Sequence, residues 1–143
     1  MKHAMIPDTQ IYSGSDTKHI KCAAKYLRKH KPDKIVIIGD WWDMPSLSSY
    51  DKPGDKGWED KSVKADLDAG WKAMGDFLKG IRSPKYDPEI HYLVGNHEER
   101  IIRASNSATM RMLGSYLSIE DVLLKPLQEL GLKTHNFLEV VVL

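Results

Sequence analysis

Apolar positions recur along this chain in two rhythms. Short unbroken runs alternate with longer stretches in which apolar residues return every three or four positions. Ile35-Val36-Ile37-Ile38 and Ile90-His91-Tyr92-Leu93-Val94 are runs of the first kind. They predict strands over 34–38 and 89–94, the first of them β-branched and uninterrupted, as a strand covered on both faces should be. His3-Ala4-Met5-Ile6, ended by Pro7, predicts a short opening strand over 3–7. In the second rhythm, Ile20, Ala23, Ala24 and Leu27 predict a helix capped by Asp16 and closed at Lys31-Pro32, since the residue before a proline disfavours helical geometry. Val63, Leu67, Trp71, Met74, Leu78 and Ile81 step by three or four and predict the clearest helix, at about 59–81.

Beyond the third strand the signals shorten. Glu98–Arg103 predicts a short helix, and 108–113 another turn or two. Ser118-Ile119-Glu120-Asp121 resembles a capping box, Pro126 should split the following helix or start a second one, and Gly131 should stop it. Residues 132–134 and 137–143 then read as strands. The order β-α-β-α-β-α-β-β predicts a single layered α/β domain over 1–143, with mostly parallel strands and helices on both faces. The apolar end Val140-Val141-Val142-Leu143 is either an ordinary terminal strand or the point where the polypeptide stops partway through a larger fold.

Composition narrows the class without naming a chemistry. The chain has 143 residues, 41% hydrophobic and 29% charged, with a formal net charge of +1. That balance makes no global case for a polyanionic partner and leaves a local patch open. Lys25, Arg28, Lys29, Lys31 and Lys34 form such a basic run, read first as a solvated face and alternatively as a nucleic-acid patch. Cys22 is the one cysteine, so no intramolecular disulfide can form and a reducing compartment is expected. No apolar run approaches the roughly 20 residues of a membrane span, and the N-terminus lacks a signal-peptide stretch. A cytoplasmic protein without a membrane partner is therefore expected.

Candidate chemistry gathers where the strands end. Asp8 follows the first strand, Gly39-Asp40-Trp41-Trp42-Asp43 the second, and Gly95-Asn96-His97-Glu98 the third. In a parallel sheet those carboxyl ends share one edge, the usual place for a ligand crevice. Carboxylate and amide oxygens with an imidazole beside them suit divalent cations and phosphate chemistry. Each residue also has a plainer reading. Asp40 and Asp43 could cap turns, Gly95-Asn96 is a common turn pair, and Gln10 could merely line its loop. Arg100 and Arg103 either meet a phosphate or form a solvated helix face. Trp41 and Trp42 either wall a cleft or pack in the core, and packing is the default. His3, His19, His30 and His91 read as surface or strand residues; His135 could reach the site, but a role supporting a ligand or the structure is the default.

These three motifs, in this order and each after a strand, resemble the calcineurin-like metallophosphoesterases. That family's pattern is Asp-x-His, Gly-Asp-x-x-Asp and Gly-Asn-His-Asp/Glu. Ile6-Pro7-Asp8-Thr9-Gln10 and the stretch from Asp43 to Tyr50 resemble in particular members encoded by phages and prophages. The resemblance covers the chain as the N-terminal part of that fold. It implies hydrolysis of phosphomonoesters or phosphodiesters, nucleotides or nucleic acid among them, by a water activated between two metals. It implies Asp8, Gln10, Asp40 and Asn96 as metal ligands, with Asp40 bridging, and His97 and Asp40 as the catalytic pair. Asp43, Glu98 and Arg100 would support ligands or substrate. Mn²⁺ is the expected cofactor, with Mg²⁺, Fe²⁺ or Zn²⁺ as alternatives. The chain departs from the pattern in two places: position 10 is Gln where His is usual, and the later histidine motifs have no counterpart. Two readings follow. One is a phosphoesterase in which a homo-oligomer or a complementing chain, joined through the C-terminal strand, supplies what is missing. The other is a catalytically impaired remnant or interaction domain that keeps the fold and a partial metal site.

Overall fold

The structure is a computed structural model, and it describes residues 1–50, 60–107, 118–139 and 142. Four strands, β1 (His3–Ile6), β2 (Lys34–Ile37), β3 (Glu89–Leu93) and β4 (Lys133–His135), form one sheet in the order β1-β2-β3-β4. Every pairing is parallel: Met5 lies opposite Val36, Val36 opposite His91, and His91 opposite Lys133. The connections carry helices α1 (Lys18–His30), α2 (Val63–Ile81), α3 (Glu99–Ser105) and α4 (Lys125–Glu129). A 3₁₀ turn at Pro45–Leu47 and a π turn at Glu120–Leu124 complete the described elements.

Strand alternation divides the sheet into two unlike faces. Ile6, Ile35, Ile37, Ile90 and Tyr92 point one way and join a single core with Ile20, Ala24 and Leu27 of α1. Met74, Phe77, Leu78 and Ile81 of α2, Ile101 of α3, Leu123 of the π turn and Leu127 of α4 complete that core. The other face bears Met5, Val36, His91 and Lys133, none of them in the core cluster. Among the described residues the helices thus pack on one face, not on both as the sequence predicted. The strand order supplies the reason. It advances in one direction without reversing, and right-handed crossovers between parallel strands then all fall on the same side.

Local signals hold with small shifts. Thr17, not Asp16, is the cap of α1, while Asp16 Oδ1 accepts the Lys18 N–H at 2.9 Å. α2 starts at Val63, where the Ser62 hydroxyl accepts the Ala65 N–H at 3.2 Å. Pro126 stands in the first turn of α4, directly after the π turn, and Ser118 makes no side-chain cap there. The strand predicted at 132–134 forms at Lys133–His135. The one predicted at 137–143 begins instead with Phe137 and Leu138 in a turn, and Val140, Val141 and Leu143 lie outside the described residues. The turns predicted at 108–113 also lie outside them.

Candidate active site

The loops after β1, β2 and β3 are sewn together around Asp40. Its carbonyl accepts the N–H groups of Thr9 at 3.1 Å and Gln10 at 2.9 Å. The Ile11 N–H continues the pairing onto the Trp41 carbonyl at 2.8 Å. Asp40 Oδ1 accepts the backbone N–H of His97 at 2.8 Å. Asp40 N–H donates to Glu98 Oε2 at 2.9 Å. One residue thereby ties the Asp8 loop, its own loop and the Asn96-His97 turn, while its second carboxylate oxygen has no hydrogen-bond partner among the described residues.

Backbone shape explains why this sequence does so. Gly39 has φ +93° and Asp40 φ +51°. The first is natural only for glycine; the second is tolerated by Asp better than by most residues. A Cβ on Gly39 would stand 2.5 Å from the Gly95 Cα, and one on Gly95 would collide with Asp40 Oδ1. The two glycines therefore let the second and third loops touch.

Behind the site lies a fully buried carboxylate. Glu98 accepts the N–H groups of Asp40, Trp42 at 3.0 Å and Gly95 at 3.0 Å, and the Tyr92 hydroxyl at 2.6 Å. Burial pushes its pKa above the ordinary value, against the pull of the Tyr92 hydroxyl and the backbone donors. Burial first, then the Glu98 charge, keeps Tyr92 neutral, its pKa far above the ordinary phenol value. Glu98 therefore fixes the backbone that carries Asp40. Asp66, which the sequence reading passed over, plays the same part from α2. It is buried, and it accepts the N–H of Ser13 and of Ser46, each at 3.1 Å. No local motif marks it, because both donors are distant in sequence.

His97 and Asp43 form a close pair. Asp43 Oδ1 stands 2.7 Å from His97 Nδ1, with the Asp43 carbonyl 2.9 Å from the same nitrogen. Those two acceptors assign the proton to Nδ1 and leave Nε2 as the ring's other face. Arg100 donates to the Asp43 carbonyl at 2.7 Å and to that of Met44 at 3.4 Å, and its other terminal nitrogen lies 3.4 Å from His97 Nε2. Arg103 instead pairs with Glu99 at 3.0 Å. Asp8, Gln10 and Asn96 are exposed at the same edge, Gln10 at φ +48°. Trp41 and Trp42 are wholly buried, their indole N–H groups on the carbonyls of Gly70 and Leu67 at 3.1 and 3.2 Å. They are core residues and wall no cleft.

His135 ends β4 opposite Leu93, at the same carboxyl edge of the sheet, but its side chain turns along the face away from the core cluster. Its ring stacks on His91 with centroids 5.2 Å apart, and His135 Nε2 is 2.9 Å from His91 Nδ1.

The donors at the edge are oxygens: carboxylates from Asp8 and Asp40, amides from Gln10 and Asn96. No group of three His, Cys, Asp or Glu side chains poised around a common point occurs among the described residues. An oxygen set fits a hard cation such as Mn²⁺ or Mg²⁺ and fits Zn²⁺ poorly.

The chain is 34% identical over 96 residues to the Gene 54 protein of Mycobacterium phage L5, and 32% over 96 residues to the Gene 54 protein of Mycobacterium phage D29. Each match covers 67% of this chain and 35% of the phage protein. No family model and no solved structure matches. No described helix is long and apolar enough to cross a membrane. The chain thus spans about a third of the length of the curated relatives it matches, and those likenesses support a phage origin.

Proposed function

We propose that this chain carries the metal-binding edge of a phosphoesterase acting on phosphomonoesters or phosphodiesters. One observation carries the reading: three strand-end loops converge on Asp40, a buried carboxylate at positive φ with one oxygen free of hydrogen-bond partners among the described residues. Asp8, Asp40, Asn96 and Gln10 would hold the cation. A bound divalent cation would polarise phosphoryl oxygens and lower the pKa of a coordinated water. The chain's own groups supply orientation and a proton site. Glu98 and Asp66 fix the loops. Asp43 holds the proton of His97 on Nδ1 and aims the ring, so Nε2 is the atom that exchanges a proton with a leaving oxygen. Arg100 holds the Asp43 backbone and keeps a cationic group beside Nε2. The second reading, a fold that binds the cation without turning over, is favoured by the absence of a nitrogen ligand in the donor set.

Calorimetry with Mn²⁺, followed by assay on p-nitrophenyl and bis-p-nitrophenyl phosphate, separates the two. Asp40→Asn is expected to weaken Mn²⁺ binding at least tenfold. His97→Asn should leave binding nearly unchanged and lower kcat by about 10²–10⁴. Absence of any Mn²⁺ or Mg²⁺ binding would overturn the proposal. Binding without hydrolysis would select the second reading.

A further inference from the structure

The basic run seen in the sequence is rearranged by the fold. Lys34 leaves it, because β2 turns that side chain onto Glu89 at 3.0 Å. Two other residues join it. Lys18, Lys21, Lys25, Arg28 and Lys29 all lie on α1, all are exposed, and Lys31 follows at its end. At 100° per residue those five side chains fall within about 100° of the helix circumference, centred roughly 120° from the core residues Ile20, Ala24 and Leu27. Of these six cations only Lys18 has an ion pair with a described residue, Asp16 at 3.4 Å. Between residues 17 and 32 there are six Lys or Arg and no Asp or Glu, in a chain whose 21 cations and 20 acids nearly balance as a whole.

A merely solvated helix face mixes both signs, because like charges at i,i+3 and i,i+4 repel. This face carries four such like-charge pairs (Lys18/Lys21, Lys21/Lys25, Lys25/Arg28 and Lys25/Lys29), and α1 itself has no acid to relieve them. Beside the stripe, Tyr26 is 63% exposed and stacks on the exposed His30 ring, centroids 4.1 Å apart. At its other end Lys21 opens, with Tyr12, Thr17, Lys72 and one acid, Asp76, into a cleft of about 220 Å³.

We infer that the outer face of α1 binds the phosphate backbone of a single-stranded nucleic acid, with Tyr26 and His30 offering a ring surface to its bases. The 13-residue helix gives a cationic track about 20 Å long, enough for several successive phosphates. Exposed rings next to such a track favour single strands, whose bases are free to stack, over a duplex whose bases are not. An acidic protein and an anionic membrane are the competing occupants, and the test below compares each of them with the nucleic acid directly. The inference concerns a surface outside the Asp40 site and does not rest on the phosphoesterase reading.

The test is fluorescence anisotropy of a labelled 20-nucleotide dT strand with the full chain, in EDTA, from 20 to 300 mM NaCl. Working without metal separates this inference from the fate of the metal site. Binding should weaken with salt at about 0.7 in log–log slope per neutralised phosphate. Lys21→Gln, Lys25→Gln and Lys29→Gln together should lower affinity at least thirtyfold at 50 mM salt and reduce the slope by about two. The matching triple Lys→Arg variant should bind like the wild type, and Tyr26→Ala should lose about fivefold or more. Circular dichroism melts matching the wild type establish that the Gln variant is folded; if it is not, Lys21→Gln with Lys29→Gln is read against the Arg variant in the same way. No binding at 20 mM salt, binding indifferent to these substitutions, or tighter binding to polyglutamate or phosphatidylserine vesicles than to dT would overturn it.

Discussion

The two ends of β3 each carry a glutamate, and the fold treats them oppositely. Glu89 opens the strand and remains a third exposed, gathering side chains: Lys133 at 2.6 Å, His91 at 2.7 Å and Lys34 at 3.0 Å. Those hydrogen bonds, Lys133 first, hold its pKa far below the ordinary carboxylate value. Glu98 follows the strand, is fully buried and gathers backbone N–H groups, and burial raises its pKa. The difference teaches which contact the structure depends on. A charge among exposed side chains has solvent as its alternative partner, so its loss is cheap and salt-sensitive. A carboxylate among buried backbone donors has no substitute, so its loss strands every donor at once.

Glu98→Ala should break this contrast most severely. It orphans the N–H groups of Asp40, Trp42 and Gly95 and the Tyr92 hydroxyl, with an expected loss of about 3–5 kcal/mol in urea unfolding. Gly39→Ala tests the same junction from the backbone side, through the clash with Gly95 and the positive φ, at about 2–3 kcal/mol. Asp66→Ala releases Ser13 and Ser46 and should cost about 1–3 kcal/mol. The smallest effect belongs to Glu89→Gln. Because the folded pKa of Glu89 is depressed, its contribution is complete above the ordinary value of 4.5 and is lost as pH falls below it. The stability gap between wild type and Glu89→Gln should therefore shrink on acidification below 4.5 and on adding salt. For Glu98 the sign reverses: its raised folded pKa makes the native state hold a proton longer, so its contribution declines as pH climbs above 4.5. A Glu89→Gln gap that ignored both pH and salt would erase the distinction.

Some of this was legible in the chain. Unbroken β-branched runs and three-four spacing placed β2, β3, α1 and α2 within a few residues, because burial imposes those periods locally. Gly39-Asp40 and Gly95-Asn96 marked the turns of the candidate site, since glycine is the cheap residue where loops cross. Other features were not local. How Glu98 would support the site was not legible: it clamps the loop backbone, with donors from residues 40 and 42 as well as from its own turn. Lys34 read as one more basic residue and proved to be the partner of Glu89, 55 positions away.

By itself the sequence determined the parallel α/β class, the strand ends at which polar residues collect, and the presence of a cationic helix, all of which follow from side-chain periodicity and turn chemistry. Only the tertiary structure decided that the described helices share one face of the sheet, that Asp40 is held from three loops, and that the cations of α1 form one stripe without Lys34. Those facts depend on which distant backbone groups and charges the sheet register brings together, and register is fixed by the packing of the whole core rather than by any segment.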